Sequence, residues 1–305
     1  MNVAESTSRE AALARARAAF LCACRLDVAV RKPGNVSIES AGHGMDAGLF
    51  LASAEATIGP LLEPGARVGR RIEGAVEASW AASGCNTNLG IVLLCAPIAA
   101  ALDREPGLAT ASDLRHALGA VLDDLDIDDA RAAYRAIARA NPGGLGSAEQ
   151  QDVHAEPTLD LRSAMALAAS RDSIAGQYAN GYADLFQLAL PLCARGFLPM
   201  EQGACTSPDP LTKARVQRIY LGLLSRLPDS HIVRKHGVAV AQTVMRAAQG
   251  WRVQSDAGIT LDPLPAFVQW DEALKRDGIN PGTSADLTVA TLFAAGLLPP
   301  DGMRR

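Results

Sequence analysis

Residues 11–34, AALARARAAFLCACRLDVAVRKPG, decide the fold class. Leu13, Ala16, Phe20, Ala23 and Val30 recur at spacings of three, four and seven, the period of one face of an α-helix. Arg31-Lys32-Pro33-Gly34 then stops the helix, because proline has no amide hydrogen and glycine reaches conformations closed to other residues. Working outward, the same pattern predicts helices at 47–58, 68–82, 89–101, 111–122, 128–140, 161–170, 172–194, 211–225, 230–249, 264–277 and 285–295. Alanine dominates and only 4% of residues are aromatic, which favours close-packed helices over pleated strands. The expectation is an all-α protein, a compact multi-helix array forming a single domain over residues 1–305. Turn formers at 141–157, NPGGLGSAEQQDVHAEP, predict a long central loop, and no repeat of 20 to 50 residues suggests a solenoid.

Charge and hydropathy narrow the partners. With 29 Lys and Arg against 33 Asp and Glu, the net charge of −4 provides no basic footprint for nucleic acid. The longest apolar run, Leu89–Leu102, contains Pro97 and falls short of the roughly 20 residues that span a membrane. The six cysteines show neither a CxxC pair nor zinc spacing, and no secretory leader is visible. These features predict a soluble protein of the reducing cytoplasm.

Several segments concentrate polar residues beside glycine. In Lys32-Pro33-Gly34-Asn35-Val36-Ser37, Asn35 and Ser37 can be held in a tight loop beside a cation, which suits a phosphate or a polar substrate edge. Gly42-His43-Gly44-Met45-Asp46 follows, and the competing reading is a plain helix stop with Asp46 capping the next helix. Asn86-Thr87-Asn88-Leu89-Gly90 opens directly into an apolar helix, whose unpaired amides and dipole attract an anion; three consecutive polar residues exceed what one cap needs. Asp172 follows Arg171 on a predicted helix and reads equally well as an ion-paired surface residue. Thr283-x-x-Asp286, within Asn280-Pro-Gly-Thr-Ser-Ala-Asp-Leu, has the shape of a weak capping box. Arg234 stands one helical turn from Ser230 and could meet an anion. The acidic run Asp123–Asp129 lacks the glycine and terminal Glu of a calcium loop and reads as a solvated turn and helix start.

Taken in order over about residues 15–297, Lys32-Pro-Gly-Asn-Val-Ser, the Gly-His element with Met45 and Asp46, Phe50, Ser53, Asn86-Thr-Asn-Leu-Gly and Asn280-Pro-Gly-Thr-Ser-Ala-Asp-Leu resemble the triphosphoribosyl-dephospho-CoA synthase family. The chain departs from the usual family pattern: Ser37 stands for an acid, Asp46 follows Met45 instead of preceding it, Asn88-Leu89 replaces His-Lys, and an Arg-Gly-Glu segment is absent. In these respects it is similar to a divergent branch found in methanogens and methylotrophs. The resemblance implies an all-helical, ATP-dependent transferase that moves the triphosphoribosyl group of ATP to dephospho-CoA or a related acceptor and releases adenine. It implies Mg²⁺ held by Asp46, Asp172 and Asp286. Phosphate and nucleotide would be held by Lys32, Asn35, Ser37, Arg234 and the Asn86, Thr87, Asn88 and Gly90 helix start. His43 would serve as acid or base beside the carboxylates Asp46 and Asp172. The partners implied are small nucleotides, with neither nucleic acid nor membrane, and a homodimer is left open. Three alternatives remain at this point: a related transferase serving a C1-carrier coenzyme, a metal-dependent helical hydrolase, and a non-catalytic binding homologue.

Overall fold

The computed structural model describes residues 3–40, 47–143, 150–193 and 205–299. Among them every regular element is helical, apart from a single bridge between Ser37 and Ser40. The first half comprises α1 (Val3–Ala29), α2 (Ala47–Leu61), α3 (Val68–Ser83), α4 (Leu89–Arg104), α5 (Ala111–Asp123) and α6 (Ile127–Ala140). Then come α7 (Leu161–Ala168), α8 (Ser173–Asn180), a π-helical turn at Leu185–Ala189 and a 3₁₀ turn at Leu190–Cys193. The last part comprises α9 (Pro210–Leu224), α10 (Ser230–His236), α11 (Val238–Asp256), α12 (Pro265–Arg276) and α13 (Gly282–Leu297).

Two helices apolar on almost every side, α4 and α13, lie at the centre and are covered by the amphipathic ones. α13 packs on α1 and α4, and Phe20 meets Phe293 edge to face at 5.7 Å. No described helix is long and apolar enough to cross a membrane; the run 89–102 is a core helix. A smaller apolar cluster joins α9 to α12, with the rings of Trp251, Phe267 and Trp270 in mutual contact. α9 and α13 contribute to both clusters, so the junction between them is where the start of α13 lies.

Pro97 lies inside α4 and cannot donate to Leu93 O, one turn earlier. The buried Tyr178 hydroxyl supplies that donor at 2.6 Å, and Tyr182 donates to Leu94 O at 3.0 Å. Tyr178→Phe would strand the Leu93 carbonyl in the core and should cost about 1–3 kcal/mol, read as a lower urea midpoint.

Three expectations need correction. The single helix predicted over 172–194 ends at Gly181, which takes a left-handed conformation with φ 67°, and Tyr182 follows at φ 58°. The helix predicted over 230–249 is likewise divided at Gly237, φ 85°. Periodicity runs through both glycines, whereas the backbone turns there. Reduced thiols were expected throughout, yet Cys22 and Cys205 form a disulfide between buried positions 183 residues apart, with a Cα separation of 5.3 Å. The acidic run does start a helix: Asp126 accepts from the amides of Asp128 and Asp129, and Asp129 closes the capping box.

Candidate active site

The Lys32–Ser37 loop leaves α1 and docks against the segment that leads into α13. Gly34 adopts φ +84°, and a Cβ there would lie 2.7 Å from Pro281 Cδ and 2.9 Å from Ile279 O. Only glycine permits both the dihedral and the approach. Asn35 Nδ2 donates to Asn280 Oδ1 at 3.0 Å, and the Tyr220 hydroxyl donates to Pro33 O at 2.7 Å. Two motifs that are some 245 residues apart in sequence are thereby joined side by side.

The start of α13 then meets three other helix starts. Asp229 caps α10 through the amides of His231 and Ile232, and its second oxygen accepts from the Ser284 amide and hydroxyl at 2.7 and 2.8 Å. Asp172 caps α8 through Ile174 and Ala175, and its Oδ2 pairs with Arg234 Nη1 at 2.6 Å. Ser230 Oγ accepts from the Ser173 amide at 2.8 Å and ties the two caps together. Asp286, one turn into α13, lies over the first turn of α4: a Cβ on Gly90 would be 2.0 Å from Asp286 Oδ2 and 2.9 Å from Ile174 Cδ1. The weak capping box suggested by Thr283 and Asp286 is not formed, since Pro281 occupies the cap position. Asp286 is thus left facing α4.

Electrostatically this junction is acidic. Loss of hydration, followed by repulsion from Asp27, Asp229 and Asp172, pushes the Asp286 carboxyl well above its ordinary value, and Arg234 opposes the rise. Burial also raises Asp229 against its hydrogen bonds, and raises Asp27 against the attraction of Lys32. No hydrogen bond from a described residue reaches the Asp286 carboxylate. Among the described residues no three metal-type side chains converge. Mg²⁺ with a polyphosphate needs only one or two protein carboxylates; of the acids here Asp286 could supply one, whereas both oxygens of Asp172 are engaged by helix amides and Arg234.

The structure therefore brings together Gly90, Asp172, Arg234 and Asp286, and joins Asn35 to Asn280 in the segment that leads into α13. His43 and Asp46 lie outside the described residues. Lys32 differs from the expectation of a phosphate ligand: its ammonium is fully buried and pairs with Asp27 at 3.0 Å. Thr87 and Asn88 also point inward. Thr87 donates to Ser53 Oγ at 2.7 Å, while Asn88 accepts from Ser79 Oγ at 2.7 Å and donates to Thr57 Oγ1 at 3.0 Å. These bonds satisfy a buried polar network joining α2 and α3 to the start of α4, so the two residues shape the site from behind. Asn86 accepts from the Leu89 amide, and the buried Ser37 hydroxyl has no hydrogen-bond partner among the described residues. Sequence reasoning missed Asp27, Asp229 and Asp271. Asp229 carried a signal, the Asp-Ser-His start of a helix, whereas Asp27 and Asp271 are ordinary acids within helical patterns. A surface groove of about 660 Å³ between α1, α2 and α3, lined by Arg17, Pro60, Glu63 and Arg70 among others, contains none of the candidate residues.

Comparison with known proteins bears on the family and the fold. No curated protein matches the chain. A crystal structure of a protein from Archaeoglobus fulgidus, provisionally assigned as a triphosphoribosyl-dephospho-CoA synthase, shares the fold at a TM-score of 0.58 and 22% identity, over 80% of this chain and 97% of that one. The family profile described as ATP:dephospho-CoA triphosphoribosyl transferase matches residues 13–305. With nearly its whole length matched, the chain belongs to the ATP:dephospho-CoA triphosphoribosyl transferase family, a family of transferase enzymes.

Proposed function

We propose that this enzyme moves the triphosphoribosyl group of ATP to a ribose hydroxyl of dephospho-CoA, or of a related acceptor, and releases adenine. The observation that carries the reading is Asp286 set over Gly90, at the first turn of α4, within electrostatic reach of the Asp172–Arg234 pair. In the reaction the bond from the ribose anomeric carbon to adenine breaks, and a bond from that carbon to the acceptor oxygen forms. The acceptor proton goes to a base, and the departing adenine takes a proton from an acid.

Asp286 and Asp172 would hold Mg²⁺, with Asp46 as a third carboxylate. When bound, the ion would neutralise the triphosphate. Arg234, held by Asp172, presents a cation to phosphate, and the amides at the start of α4 add positive potential. Asn35 and Ser37 supply polar contacts to the nucleotide. His43 exchanges the proton with the acceptor or the leaving base. The carboxylates also shield the positive charge that develops on the sugar as adenine leaves.

Incubation with ATP, Mg²⁺ and dephospho-CoA should yield adenine and a triphosphoribosylated acceptor by chromatography, and chelation of the metal should stop both. Unchanged ATP with dephospho-CoA and with other ribose-bearing acceptors would refute the transfer. Adenine produced at the same rate without any acceptor would make the protein a hydrolase.

A further inference from the structure

Asp271, on α12, belongs to none of the polar motifs, yet it is completely buried and its bonds converge on one of them. Oδ1 accepts from the Gly34 amide at 2.8 Å, and Oδ2 pairs with Arg31 and with Lys275, each at 3.0 Å. Lys275, one turn further along α12, also donates to Ser40 O at 2.9 Å. Two neighbouring side chains of one helix therefore grip both ends of residues 34–40. Arg31 and Lys213 extend the grip through Glu39, at 3.0 and 2.9 Å.

Burying this cluster has a cost that an apolar contact would avoid, because each ion gives up its water. Its return is geometric. A loop that contains a glycine with positive φ samples many conformations when free, and ordering it before the ligand arrives removes that penalty from binding. Between the two gripped ends, Asn35 bonds to Asn280, and the Ser37 hydroxyl has no hydrogen-bond partner among the described residues.

We propose that Asp271 and Lys275 are positioning residues that clamp the 34–40 loop in its nucleotide-receiving form. This rests on the assignment of that loop to the ATP side of the transferase. Neither residue touches substrate; each acts through the backbone of Gly34 or Ser40.

The test compares Lys275→Met and Lys275→Arg with the parent enzyme, using Asp271→Asn as a second variant that keeps an acceptor for Gly34 but loses the charge. In Lys275→Met, hydrogen exchange should quicken in the peptide covering 33–40 and stay unchanged in α4 and α13. Calorimetry should show Mg-ATP binding weakened about tenfold, with the KM for dephospho-CoA unaltered, as expected for loss of preorganisation on one substrate only. Lys275→Arg should restore both. Unchanged exchange at 33–40, or unchanged Mg-ATP affinity, in both Lys275→Met and Asp271→Asn would overturn the clamp. A parent enzyme that binds Mg-ATP but never releases adenine would remove the transferase reading and leave the clamp standing.

Discussion

Gly90→Ala should cripple the enzyme, with adenine release falling about a hundredfold or more, because displacement of a reacting group by an ångström costs that much. The new Cβ would lie 2.0 Å from Asp286 Oδ2, 2.6 Å from its Cγ and 2.9 Å from Ile174 Cδ1. Distances this short cannot persist. Gly90 belongs to the central helix α4 and Asp286 to the central helix α13, so neither backbone can retreat without opening the core. The carboxylate must swing away, or the helices must part. Overpacking of this kind should also cost about 1–3 kcal/mol, measurable as a lower thermal midpoint. Gly119→Ala on α5 is the matched control: a Cβ there meets nothing within 4 Å, so the change should be neutral or slightly stabilising. Equal rates for Gly90→Ala and the parent would mean that Asp286 does not occupy this position in the working enzyme.

Asp286→Asn should separate activity from stability. The amide keeps the shape of the side chain but cannot bind a cation or shield positive charge, so kcat should fall about 10²–10³-fold. Stability should move the other way. Lost hydration and the neighbouring acids Asp27, Asp229 and Asp172 raise the Asp286 carboxyl well above 3.8 in the folded protein. The native state therefore holds a proton that the unfolded chain releases, and stability declines as pH rises through that window. Asn has no such proton to lose. Its advantage should be absent below about pH 4, grow as pH rises above the unfolded value, and level off past the folded one. Chemical denaturation of both proteins across pH measures this directly. A variant less stable than the parent at neutral pH would show a carboxylate held by favourable pairing, and the cation site would lose its basis.

How much of this could be read from the chain depends on how far apart the interacting groups lie. The helix ending at Lys32-Pro33-Gly34 was legible because proline and glycine act on their own backbone. The polar segments at 31–37, 86–90 and 280–287 were legible as unusual because local capping needs fewer polar atoms than they contain. Their uses were not. Asn86-Thr87-Asn88 looked like one ligand patch, but Thr87 and Asn88 face Ser53, Thr57 and Ser79 from other helices. Asp172 and Asp229 cap helices, and their remaining oxygens reach Arg234 and Ser284, 62 and 55 residues away.

Local chain chemistry alone thus settles that the protein is helical, where most helices start, and which glycine-bordered stretches are out of the ordinary. Tertiary packing settles which of the acids do what. Asp286 stood out through its Asn280–Leu287 segment, whereas Asp271 and Asp27 are acids in helical patterns, indistinguishable along the chain from solvated surface residues. Packing turns Asp271 into a clamp on Gly34, sets Asp286 over Gly90 with its carboxyl titrating upward, and makes Asp27 the partner of Lys32. Periodicity reports the face on which a side chain lies, whereas the energy of a charge is set by the water it loses and the partner it meets, and both of those come from distant segments.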